Sequence, residues 1–261
     1  MKKKGIRGMI EKLNEPNNFI SGIYNYCDGW CERCSYTDRC LNYSSRDEYG
    51  FNNEDDEGTL DNTLDSVFEI FSDISAFLKE EAEKSGIDLN EEVDMSDYEN
   101  AKEKAYSHPL TKKTYKYFQL VNDWFKSRKE IVTQQTDEFI KFAELGFDEE
   151  KIQSNVNEFQ DAIEVIQWYY TLIRVKIIRA LHTKFDKSYV DEEFTFEQVN
   201  TSAKIALVGC EKSLAAWKTL YEYLKEDEDK ILTILAYLDK LIKSIKEEFP
   251  DVAEYKRPYF D

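Results

Sequence analysis

The chain has 261 residues, 41% apolar and 14% aromatic, which is enough to bury a sizeable core and excludes disorder throughout. Nine glycines and four prolines are few for many short strands joined by tight turns, whereas helices avoid both, so composition points to an α-rich fold. A formal net charge of -18 makes phosphate backbones and anionic membrane surfaces poor partners, leaving a basic protein, a cation or a positively charged redox partner as better ones.

The charge is concentrated. Residues 44–100 hold 19 Asp and Glu against Arg46, Lys79 and Lys84, a net of -16, and the remainder is nearly balanced. At the start, Lys2, Lys3, Lys4 and Arg7 are not followed by the apolar stretch of a secretory signal, and no run of 18 or more apolar residues occurs elsewhere. These features lead to a cytoplasmic expectation, and in a reducing compartment closely spaced thiols bind metal or do redox work more often than they form structural disulfides.

In chain order, residues 1–43 read as a compact, aromatic-lined, metal-binding segment, 44–60 as an acidic linker, and 61–261 as a helical bundle. The first helix is expected from Leu64, Val67, Phe68, Phe71, Ile74, Phe77 and Leu78, which recur at steps of three and four until Ser85-Gly86. Residues 87–107 lose that period and read as a solvated connection with at most a short helix. A second helix can begin at His108-Pro109, with Pro109 in the first turn, carrying Leu120, Trp124, Ile131, Phe139 and Phe142 towards a stop at Gly146.

The third helix, from about Val156 to Phe185, is apolar on nearly every side and is expected to be central. The fourth, from Asn200 to Leu224, carries Ala203, Ala206, Cys210, Ser213 and Ala216, small residues that permit close helix approach. The fifth presents Ile231, Ile234, Leu235, Leu238, Ile242, Ile245 and Phe249 before Pro250, and the short link near Glu226 makes the last two helices antiparallel neighbours. The expected architecture is an all-α, up-and-down bundle of four to five helices with an N-terminal cysteine-rich appendage.

Four of the five cysteines, Cys27, Cys31, Cys34 and Cys40, fall within fourteen residues as C-x3-C-x2-C-x5-C. Thiolates so close in sequence can share one ion or cluster. Structural zinc sites usually set two ligand pairs apart by a longer loop, and no such loop occurs here, whereas a [4Fe-4S] cube suits a short segment offering one sulfur per corner. Zinc remains the alternative, and redox-active thiols without metal a third reading. Tyr24, Tyr26, Trp30, Tyr36 and Tyr43 surround the cysteines, either packing the segment or shielding a metal from solvent.

Cys31-x2-Cys34-x5-Cys40, with Tyr36 two residues after Cys34, resembles the C-x2-C-[P/S]-[F/Y]-x3-C element of cluster-bearing RecB-like nucleases and of auxiliary-cluster domains in radical-SAM maturases. The resemblance covers Cys31 to Cys40 and implies a [4Fe-4S] cluster, not nuclease activity. Cys27-x3-Cys31-x2-Cys34 also matches the radical-SAM triad spacing, but Cys40 offers a fourth ligand and the strands of a barrel are missing downstream.

Other chemistry finds less support. The chain has two histidines and neither completes a Glu-x-x-His element, which argues against a di-iron bundle. Asn53 to Gly58 looks like the start of a calcium loop, but Leu64 stands where a bidentate Glu is needed. Glu164, Arg174 and His182 on the third helix are candidates for a polar pocket; the simpler expectation is inter-helix pairing, and 18 residues of helix put Glu164 about 27 Å from His182, too far for an acid and base acting on one substrate. Without a phosphate-binding loop or nucleophile elbow, no catalytic residue is assigned. The expected function is electron transfer or redox sensing by an iron–sulfur protein that docks a protein partner through its bundle, with a zinc-stabilised adaptor as the alternative.

Overall fold

The computed structural model describes residues 19–48, 60–89, 94–146, 148–189 and 191–261, and these form helices and turns with no strand among them. The all-α expectation holds. Contacts divide the chain into two compact units, Met1–Asp94 and Met95–Asp261.

In the first unit three single 3-10 turns, Ile23–Asn25, Cys31–Arg33 and Thr37–Arg39, lead into helix α1 (Leu41–Glu48). Helix α2 (Leu60–Ser85) follows, and Gly86, at φ 69°, ends it as its sequence suggests. Two boundaries differ from the sequence reading. The expected acidic linker begins inside α1, because Leu41 buries its side chain and helix propagates through Ser45; Asn53 to Gly58 lies outside the described residues. Helix α2 groups with the cysteine segment and not with the later helices, although its apolar period resembles theirs.

The second unit is a bundle of five helices: α3 (Ser96–Ser107), α4 (Pro109–Glu144), α5 (Glu149–Phe185), α6 (Glu192–Tyr223) and α7 (Glu228–Glu248). Part of the expected connection is thus a twelve-residue helix. It has little apolar surface, but Ala101 and Ala105 are fully buried, and their small size seats α3 against α5. At its end His108 takes the extended conformation that a following proline imposes (φ -60°, ψ 140°), so α3 stops and α4 starts at Pro109. The His108 imidazole Nδ1 accepts the Leu110 amide at 3.2 Å, and Thr111 Oγ1 donates to the Ala105 carbonyl at 2.6 Å, satisfying backbone groups at the break.

The buried stripe of α4 is Leu110, Thr114, Tyr117, Val121 and Trp124, continuing at Phe139. Phe142, placed on that helix by its apolar character, is 44% exposed. The helix kinks at Arg128 (φ -126°, ψ 15°), where Arg128 Nε donates to Asp227 Oδ1 at 2.8 Å and Trp124 Nε1 donates to Asp227 Oδ2. Asp227 is 3% exposed, and Lys230 Nζ, 3.7 Å from Oδ1, joins these donors around the carboxylate.

Helix α5 is central, packing on α3, α4 and α6 as its all-round apolar character suggests. Asp148 caps it by accepting the amides of Glu150 and Lys151. Its closest partner is α6, whose small residues Ala203, Ala206, Gly209, Cys210 and Ser213 are buried. At Gly209 an added Cβ would stand 2.8 Å from the Tyr169 ring, so glycine sets the approach of the two helices there. After the 3-10 turn Lys225–Asp227, α7 returns against α6 and α4 with Ile231, Ile234, Leu238, Leu241 and Ile245 inward.

Candidate metal centre

The four cysteines lie in the turn-rich part of the first unit. Gly29, at φ 79°, turns the chain between Cys27 and Cys31; Cys31 opens a 3-10 turn that Cys34 closes, its amide donating to the Cys31 carbonyl at 3.1 Å. Cys40 closes the next turn by the same pattern, donating to Thr37 at 3.2 Å. The Ile20 amide bonds the Arg39 carbonyl at 2.9 Å, tying the two ends of the segment together over buried Ile20, Ile23 and Leu41.

All four thiols are half-buried, and none is in a disulfide. Cys27 Sγ donates to the Tyr24 carbonyl at 3.4 Å, whereas Cys34 Sγ accepts the Tyr36 amide, also at 3.4 Å. The Arg33 guanidinium lies 4.0 Å over the Trp30 ring, placing a cation beside the Cys31–Cys34 turn. Among the described residues no three His, Cys, Asp or Glu side chains are grouped so as to hold a metal ion, so the four sulfurs are neighbours in sequence that are not gathered into a ligand set.

The residues considered for a polar pocket on α5 go to separate surroundings. Glu164 is exposed. The Arg174 guanidinium lies 5.1 Å over the Tyr115 ring, with its buried Nε making no hydrogen bond. His182 meets Tyr98 edge-on at 4.6 Å, and its Nε2 is also buried without a hydrogen-bond partner. Arg174 thus meets α4, and His182 meets α3. The Arg179 guanidinium donates to the neutral Gln198 amide at 3.0 Å.

Cys210 is fully buried on α6, where burial pushes its thiol up and keeps it protonated. It stands as a small core residue, in keeping with the sequence. The polar feature that sequence reasoning missed is Asp227 with Trp124 and Arg128; Asp227 sits in an acidic run, Glu226 to Asp229, and nothing in that run marks the one carboxylate that turns inward.

No protein-family model, curated protein or solved structure matches this chain. No helix among the described residues is long and apolar enough to cross a membrane.

Proposed function

We propose that the chain is an iron–sulfur protein, with Cys27, Cys31, Cys34 and Cys40 as ligands of a [4Fe-4S] cluster that transfers or senses electrons while the helical bundle docks a protein partner. The observation that carries this reading is the density of thiols, four in fourteen residues, half-buried and free of disulfides. The donor chemistry fits: soft thiolates suit iron–sulfur clusters, and the Tyr36 amide on Cys34 Sγ is a hydrogen bond of the kind that tunes cluster potential. The single-turn 3-10 elements are held by isolated backbone bonds, so closing the segment around a metal requires rearranging turns and not a packed core. A cluster would supply one-electron chemistry. The chain itself would supply the ligands, the half-buried Tyr26, Trp30, Tyr36 and Tyr43 that limit solvent, and the Arg33 charge that offsets thiolate.

Zinc is the second reading, favoured by the Cys31-x2-Cys34 turn with an amide on its second sulfur, which serves equally as half of a zinc site. In that case the segment is a structural lock and the protein an adaptor. Purification without oxygen decides between them. Brown protein with broad visible absorbance and about four irons and four sulfides per chain is the expected result; colourless protein carrying one zinc overturns the cluster and selects the adaptor.

A further inference from the structure

We propose that a groove between α4 and α7 is a binding site for a small organic anion, a carboxylate or phosphate attached to a compact apolar body. The groove has a volume of about 340 Å³ and is lined by Lys113, Tyr237, Lys240, Leu241, Lys243 and Ser244, with Glu247 at the same site. That volume is at the lower end of small-ligand pockets, roughly 300 to 1,000 Å³, and too small for a folded partner.

The charge arrangement singles the groove out. Three lysines from two helices line it, beside the single carboxylate of Glu247, in a chain whose net charge is -18, where carboxylates are plentiful enough to partner every lysine. Lys113 instead donates to a neutral hydroxyl, Ser244 Oγ, at 2.7 Å, and Ser244 Oγ in turn donates to the Lys240 carbonyl at 3.0 Å. An ammonium has three protons, so Lys113 is held in place with two still to give. Lys240 makes no ion pair or hydrogen bond among the described residues through its ammonium. Lys243 is the one of the three with a carboxylate, Asp239 at 2.7 Å, an exposed i,i+4 pair of small worth. The Tyr237 hydroxyl donates to the Lys113 carbonyl at 3.0 Å, which fixes the phenol ring as a wall.

Each half of the ligand follows from one half of this lining. Two incompletely used ammonium groups select an anion, and as point charges on flexible stems they take carboxylate or phosphate alike. The Tyr237 ring, Leu241 and the lysine methylenes offer apolar contact that a bare inorganic ion cannot use. An acidic protein repels anions at long range, so one that binds here does so through these local groups. The inference is independent of the cysteine segment.

The test is titration of the full chain, followed by NMR, with phenyl phosphate and benzoate as anionic probes, benzyl alcohol as a neutral probe and inorganic phosphate as an anion without an apolar body. Both organic anions are expected to saturate one site and to weaken about tenfold or more in Lys113→Met/Lys240→Met, with unchanged helical circular dichroism. The single exposed variant Lys240→Glu, which leaves the Lys113–Ser244 bond intact, is expected to weaken both as well and keeps the test decisive if the double variant misfolds. Failure of either organic anion to saturate overturns the site, as does binding that survives both variants. Equal binding of benzyl alcohol overturns the anionic half of the proposal, and equal binding of inorganic phosphate overturns the apolar half.

Discussion

The cysteine unit and the bundle spend their sequences differently. In the bundle, five helices of 12 to 37 residues share one continuous core, with Tyr117, Ile166, Tyr169, Ile177, Trp217 and Leu238 essentially inaccessible. In the first unit the buried apolar residues among those described are Ile20, Ile23, Leu41 and Ala82, while Phe68, Phe71 and Leu78 on α2 are exposed by 54% or more. Few buried apolar residues among those described leave more for cross-links or a metal to contribute than a continuous core does. On the proposed reading, the four clustered cysteines lie where a bound metal would contribute most, and the fifth, Cys210, lies where packing suffices.

The largest expected effect tests that contrast directly. Binding of a structural metal contributes on the order of 10 kcal/mol to a small domain, so if the cysteines hold a metal as proposed, Cys34→Ser is expected to abolish its retention and expose the first unit to proteolysis. The bundle fragment resistant to protease should keep its size and its thermal midpoint. Loss of the bundle in the same variant would break the comparison by making the two units one cooperative body.

The reciprocal experiment is Asp227→Ala. It strips Trp124 Nε1 and Arg128 Nε of their acceptor at the α4 kink and leaves a guanidinium only partly in water. Removing one partner of a fully buried pair costs about 3 to 5 kcal/mol; because the Arg128 side chain is 22% exposed, about 2 to 3 kcal/mol is expected here. Denaturant unfolding should show this loss, while any metal held by the cysteine segment as proposed stays in place.

How far the sequence disclosed each region follows from the same contrast. The bundle was legible because its helices are long and periodic: the all-round apolar α5 is central, the small residues of α6 do receive a neighbour, and Gly146, at φ 79°, stands just beyond α4. It was illegible where polar residues occupy core positions. Thr114 and Tyr117 are fully buried on α4, so the inward stripe escaped an apolar count that took Phe142 instead, and α3 hides behind Ala101 and Ala105. For the cysteines, spacing shows how close the four thiols lie in sequence but not how the chain turns between them, because the intervening 3-10 turns depend on single hydrogen bonds with no periodic signal. For Glu164, Arg174 and His182, sharing an arc of one helix says nothing about which neighbouring helix each meets, here through Tyr115 for Arg174 and Tyr98 for His182.

A smaller effect is expected from Gly209→Ala. The new methyl would lie 2.8 Å from Tyr169 Cδ1, closer than carbon atoms approach, and 3.1 Å from Ile173 Cγ1, a tight contact, so the fully buried Tyr169 ring must shift within the core. Overpacking of this kind costs about 1 to 3 kcal/mol, partly offset by about 1 kcal/mol of helix propensity gained over glycine. A lowered thermal midpoint of the bundle checks the argument; an unchanged or raised one would mean that α5 and α6 can separate without loss.

The smallest effect concerns the last turn of the bundle unit. Burial pushes the Asp261 carboxyl up, but hydrogen bonds from the Arg257 amide and guanidinium outweigh it and hold Asp261 below the usual carboxylate range. A group whose folded pKa is depressed contributes stability above its unfolded pKa, and that contribution is lost as pH falls through the folded value. Acidification should therefore release this contact only below the ordinary carboxylate range, freeing Arg257 from Asp261 while α3 to α7 remain helical. Asp261→Asn should remove that acid-dependent step and leave the rest of the unfolding profile unchanged, as followed by the NMR signal of the Arg257 Nε proton. If the Asn variant instead lowers stability equally at every pH, the tie acts through shape and not charge, and the end of the bundle owes its place to Tyr255 donating to or accepting from Thr201 at 2.7 Å and to Lys204 on the Ala253 carbonyl at 2.9 Å.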